Sequence, residues 1–214
     1  MIKLSGTGKM PCKSWSLQAI ETCPASMGSD GELVDACKGC YATTGMYHMP
    51  NVKAPRAHNK DDWKRDAWVS DFVSLLSKET YFRWFDSGDV YSLGLANKIY
   101  AVMKSTPHVK HWLPTRMAKF GKFKLVLAKM NKLPNVVVRK SSDSISGGKL
   151  RGMSSTIVAN ENQAKGATVC PAYTQKGKCL DCRQCWDKSI RVIAYPQHGA
   201  KMAKVNRDII AIAA

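Results

Sequence analysis

The chain has 214 residues, enough for one domain that buries a sizeable core. Its 33 Lys and Arg against 16 Asp and Glu leave a formal charge of +17, so nucleic acid or another polyanion is the natural class of partner. No apolar run reaches the length of a membrane span and none follows Met1 as a secretory signal, so eight cysteines in a reducing cytoplasm are expected to hold metal rather than form disulfides.

In chain order, residues 1–14 form an irregular lead-in, and Ser14 to Ile20 alternates as a first strand does. A cysteine group follows, with Cys23-Pro24 and then Cys37-x2-Cys40-Tyr41, separated by the turn-rich MGSDGELVD. Cys12 stands apart beside Pro11 and reads as a bystander. From Asn59 the apolar residues Trp63, Ala67, Trp68, Phe72, Leu75 and Leu76 recur at helical spacing, with Asn59 or Asp61 as the cap.

YFRWFDSGDV is the next strand, running into Asp86, Gly88 and Asp89. Ser92 to Ser105 is helical, and Pro107 ends it. VKHWLPTR is a strand ending in Arg116, Met117 to Asn131 a helix with an outer lysine face, and NVVVRKS a buried parallel strand. These strands start near 82, 109 and 135, spaced 27 and 26 residues apart, the length of one βα unit. A Gly-rich loop, SSDSISGGKLRG, leads to a fifth strand in MSSTIVAN. SIRVIAYPQHG supplies the sixth, and KMAKVNRDIIAIAA a closing helix.

Between the fifth and sixth strands lies Cys170-x8-Cys179-x2-Cys182-x2-Cys185. Cysteines two residues apart pair poorly as disulfides but aim their thiolates at a common centre, as iron–sulfur and zinc sites require. The run of three resembles a ferredoxin segment more than a zinc finger, so a [4Fe-4S] cluster is expected and zinc is the alternative. The fold expected is α/β: a partial (βα)6 TIM-like barrel over one domain, 1–214, with 169–187 as a cysteine-rich insertion. Polar residues gather at its strand ends, where βα folds build sites: Asp86 and Asp89, Arg116, Arg139 and Ser141, and His198.

KMPCKSWSLQAIETC, CKGCYATTGMYHMPNV, FRWFDSGDV, HWLPTR, VVVRKS and CPAYTQKGKCLDCRQCWD, in this order, resemble a bacteriophage-encoded cysteine-rich family. The resemblance implies a protein made in a bacterial host cytoplasm and brings no activity with it. The barrel is also similar, more loosely, to radical S-adenosylmethionine (SAM) enzymes, which place three cluster cysteines after the first strand. Cys23, Cys37 and Cys40 hold that place, and Ser87-Gly88-Asp89 that of a Gly-rich loop. Those enzymes space their cysteines Cys-x3-Cys-x2-Cys, whereas thirteen residues separate Cys23 from Cys37 here.

The resulting expectation is an iron–sulfur protein of redox or radical type that does not cleave SAM. Cys23, Cys37, Cys40, Cys170, Cys179, Cys182 and Cys185 are its ligands, and a thiol of the second group closes the first. Asp86, Asp89, Arg116 and Arg139 line its pocket, and a host redox protein is a possible partner. The competing expectation is a basic nucleic-acid-binding module held together by zinc, without catalysis. Neither involves a membrane.

Overall fold

The structure is a computed structural model that describes the backbone of residues 1–213 and the side chains as far as Asp208. The strands are β1 (Ser5–Gly6), β2 (Lys13–Trp15), β3 (Tyr81–Trp84), β4 (Lys110–Thr115), β5 (Val136–Ser141), β6 (Ser154–Val158), β7 (Thr168–Val169) and β8 (Val192–Pro196). The helices are α1 (Asp35–Lys38), α2 (Pro50–Asp62), α3 (Trp68–Leu75), α4 (Leu93–Ser105), α5 (Lys124–Lys132) and α6 (Ala200–Ala213). One sheet runs β1-β2-β3-β4-β5-β6-β8-β7, and every neighbouring pair is parallel except β1 with β2. Strands from β2 to β6 therefore lie in chain order, as repeated βα units produce. No helix among the described residues is long and apolar enough to cross a membrane.

Alternation along the strands sorts the two faces of the sheet. Phe82 and Trp84 of β3 pack with Trp15, Trp68 and Phe72, ring to ring at 4.8–6.5 Å, under α3 and α4. Leu113, Val136 and Val138 continue that core beneath α4 and α5. His111 belongs to the same face: its Nδ1 accepts from Trp84 Nε1 at 3.3 Å and its Nε2 lies 2.9 Å from Thr106 Oγ1. Tryptophan only donates, so Nε2 carries the proton, and burial pushes the imidazole pKa down to about 3. The opposite face carries Arg83 beside Trp112, the residues paired in the β3–β4 register.

Several elements differ from the sequence expectation. The strand expected over Ser14 to Ile20 is β2 and ends at Trp15, and Ile20, five residues on, takes a positive φ of 68°. The helix expected from Asn59 onward is two helices with a break after Asp62, and the first starts nine residues earlier, at Pro50. Met117 to Phe123 forms two short 3₁₀ turns before α5, so the single long helix expected there is shorter. The expected closing helix is present as α6, and Ala214 lies outside the described residues.

Candidate metal centre

A cavity of about 670 Å³ lies where the polar strand ends gather, over the face that carries Arg83 and Trp112. All seven cysteines expected as ligands line it: Cys23, Cys37, Cys40, Cys170, Cys179, Cys182 and Cys185. They are free thiols and fall into two sets. Cys23 feels Cys37 and Cys40, whereas Cys179 feels Cys170 and Cys182, and Cys185 feels Cys170. Burial pushes the Cys23 thiol up to about 12, with Asp89 adding to it, and Cys185 up to about 11 despite its hydrogen bond with Tyr195. Cys37 and Cys179 are raised too, chiefly by burial. Cys12, read as a bystander, sits next to Cys179 and Arg83 but does not line the cavity; burial raises it to about 12.

Backbone contacts place both sets. Turns over Cys37-x2-Cys40 are closed by Cys40 N donating to Cys37 O at 3.1 Å, and Ala36 N is held by Asp143 O at 3.0 Å. Helix α6 packs on that turn so closely that a Cβ at Gly39 would lie 2.8 Å from Met202 Cα. In the second set, Lys176 and Leu180 adopt positive φ angles of 51° and 45°, which fold the segment tightly around Cys179. Cys179 N donates to Lys9 O and Cys170 N to Ala194 O, each at 2.8 Å. Trp186 anchors the far end, donating from Nε1 to Phe82 O at 3.0 Å and meeting Tyr81 and Trp112 edge to face at 5.4 Å.

The four polar candidates turn out to be tied down. Asp86 is buried and paired with Arg56 at 3.1 Å, and Tyr47 donates to its Oδ2 at 3.1 Å. Asp89 accepts from Thr115 Oγ1 at 2.6 Å, Arg116 N at 2.9 Å and Val90 N at 2.7 Å, which pins the end of β4 to the end of β3. Its pKa is raised by burial, against the pull of those donors. Arg116 donates to Ser142 O at 2.8 Å and pairs with Asp143 at 3.3 Å.

Arg139 was expected in the pocket and is not part of its lining. It lies fully buried beneath the cysteine segment, with its donors spent on the carbonyls of Gln184, Cys185, Asp187 and Ile190 at 2.7–3.2 Å. Buried guanidinium needs acceptors, and the turn carbonyls of 184–190 supply them more closely than any cavity group.

Asp86, Asp89 and Arg116 do line the cavity, as expected, and so does Arg83, a cation absent from the sequence expectation. Gly88, at φ +77°, allows the DSGD turn to press against Leu17, where a Cβ would come within 2.6 Å. Tyr41 stacks on His198 at 6.5 Å, closing the cavity near Cys40. Among the described residues, no three His, Cys, Asp or Glu side chains converge closely enough to hold a single metal ion.

An α/β protein with a mostly parallel sheet and a thiol-lined cavity at its polar strand ends is the class these features define. A family model described as Gene product 88 matches residues 2–188, and the chain belongs to that family, which fits a phage-encoded gene product. No curated protein and no solved structure matches the chain. None of these comparisons connects it to radical SAM enzymes.

Proposed function

We propose that the protein carries iron–sulfur clusters on a partial (βα)6 barrel: one at the four thiols Cys170, Cys179, Cys182 and Cys185, and one at the three thiols Cys23, Cys37 and Cys40. The observation behind this reading is that seven free cysteines, from segments far apart in the chain, line one cavity. Each thiolate of a cubane cluster holds a different iron, so its ligands stand apart by the width of the cluster. A tetrahedral zinc ion instead draws four sulfurs to about 2.3 Å from one point. The ferredoxin-like run Cys179-x2-Cys182-x2-Cys185 is what favours the cluster over zinc in this reading.

Such clusters supply one-electron transfer, and a three-thiol site leaves a coordination position facing the cavity. The thiol neighbours of Cys23, Cys37 and Cys40 lie within their own set, so in this reading the triad stays open instead of borrowing a thiol from the second group. Burial keeps Cys23 and Cys185 protonated, and their protons leave as metal binds. The role is redox or radical in type, without cleavage of SAM, because the thirteen-residue Cys23–Cys37 loop departs from the spacing of enzymes that cleave it.

Anaerobically purified protein is expected to contain iron with acid-labile sulfide. Cys182→Ala should lose one cluster's worth of iron and Cys37→Ala the other. Stoichiometric zinc without iron, from iron-replete cells, would favour the zinc-stabilised nucleic-acid module instead. Release of 5′-deoxyadenosine from SAM by the reduced protein would overturn the non-cleaving part of the proposal.

A further inference from the structure

Arg83 differs from the two fully buried guanidinium groups, Arg56 and Arg139. Arg56 is neutralised by Asp86 and Arg139 by four carbonyls. Arg83 has no carboxylate within salt-bridge distance among the described residues, although it is half-buried in the cavity wall. Its contacts are a Met10 thioether, a weak acceptor, at 3.1 Å from Nη1, and Phe85 O at 3.2 Å from Nε. Among the described residues Nη2 has no acceptor in good hydrogen-bond geometry, and the Tyr41 hydroxyl is a polar neighbour of the guanidinium. The guanidinium plane is fixed over the Trp112 ring, Cζ 4.7 Å from its centroid.

Desolvating a guanidinium without an anion is costly, and sequences rarely retain the arrangement without a use for it. Asp86, the acid nearest in charge, is already spent on Arg56. Neither Arg116 nor Arg139 has a comparable free edge.

We propose that Arg83 is the carboxylate-binding residue of the cavity, and that the protein's small-molecule substrate bears a carboxylate group received by the Nη1–Nη2 edge. Once the weak Met10 acceptor gives way at Nη1, that edge offers two parallel N–H groups, the fork that the two oxygens of a carboxylate match. The stacked Trp112 holds the fork in place before the ligand arrives, so little rotamer freedom is lost on binding. Arg83 lies near Cys179 and Cys185 on one side and near Tyr41, the neighbour of Cys40, on the other. A molecule held there would sit between the two thiol sets, within reach of both. Its place beside the clusters rests on the iron–sulfur reading; the carboxylate site itself needs no metal.

Isothermal titration calorimetry of the anaerobic protein with acetate, succinate, methionine and inorganic phosphate as probes tests this, alongside iron content for every sample. Saturable binding of at least one carboxylate is expected, weakened about tenfold or more in Arg83→Met, with Arg83→Lys recovering only part because it lacks the fork. Circular dichroism of both variants guards against loss of the fold.

Carboxylate binding by iron-free protein would leave the subsite standing and sink only the cluster reading. Arg83→Met protein that loses iron yet binds carboxylate as the parent does would make Arg83 a counter-charge to the clusters and overturn the proposal. Absence of carboxylate binding, or tighter binding of phosphate than of every carboxylate, would overturn it as well.

Discussion

Arg139 offers the sharpest test of how the second cysteine set is held. Its guanidinium donates to four carbonyls along 184–190 and is fully removed from solvent. Hydrogen bonds from a charged donor contribute about 1.5–3 kcal/mol each, but bonds sharing one side chain do not add freely. Replacement by Met keeps most of the volume and removes the charge, leaving four carbonyls without their donor. Losing a buried, charged partner costs roughly 3–5 kcal/mol. Against a domain stability of about 5–15 kcal/mol the variant still folds at 20 °C or so but should unfold at a urea midpoint lower by roughly 1–2 M.

The same change loosens the turn that carries Cys182 and Cys185, so iron content should fall with stability. Arg139→Lys should rescue little, because one ammonium cannot span four carbonyls set in a plane. Paired urea titrations and iron assays on parent and both variants decide the matter. A midpoint within experimental scatter of the parent, with full iron loading, would refute the reasoning and show that Trp186 and Lys9 alone seat the segment.

Two further outcomes follow from charge. His111 has a folded pKa depressed to about 3 from an ordinary 6.5, so below pH 6.5 the unfolded chain takes up a proton that the folded one refuses. Stability from this group is present above pH 6.5 and drains away as pH falls toward 3, by about 2 kcal/mol between pH 6.5 and 5. In urea titrations over that window His111→Gln should show a shallower loss than the parent, and parallel curves would dispose of the assignment. The net charge of +17, with exposed Lys122 just before α5 and Lys124 and Lys129 on it, predicts nucleic-acid binding without sequence preference that weakens steeply with salt. Filter binding to DNA and RNA at two ionic strengths measures it, and undetectable binding at low salt would remove nucleic acid as a partner.

What could be read from the chain was whatever apolar periodicity records. Strands β3, β4 and β5 and helix α4 fall where Phe82, Trp84, Leu113, Val136, Leu95 and Ile99 point them, because those residues build the core. Helix α2 was legible only at its end. Its buried residues are Arg56, Asn59 and Asp62, polar groups satisfied by Asp86, by the Lys3 and Ser16 backbone and by Arg65, and a hydrophobic pattern cannot register them. Pairing at the sheet's edges, β1 and β7, involves two residues each and leaves no pattern at all.

At the site, the cysteines were visible because their spacing is chemical. Their convergence on one cavity was not, since it depends on how strands β2 and β8 place loops about 130 residues apart. Arg139 and Arg83 show the same gap from both sides. Each is an arginine in a strand, and only the turn carbonyls lying over one and the thioether beside the other tell which is structural. A charged residue inside FRWF, at the parity opposite Phe82 and Trp84, was the available signal for Arg83.

The bond from Trp186 to Phe82 spans 104 positions in the chain, and the Cys179–Lys9 contact closes a still longer loop. Loops of that size form slowly, because their closure entropy is lost before any contact compensates for it. During synthesis the first cysteine set and strands β2 to β5 emerge long before Cys170, so the sheet core under α3 to α5 can condense first. The second set then docks on a surface already made, and its four thiols spend that interval exposed to oxidant and to stray metal. Under the proposed cluster reading, a chain arranged this way gains from being assembled where oxygen is scarce and iron is delivered promptly.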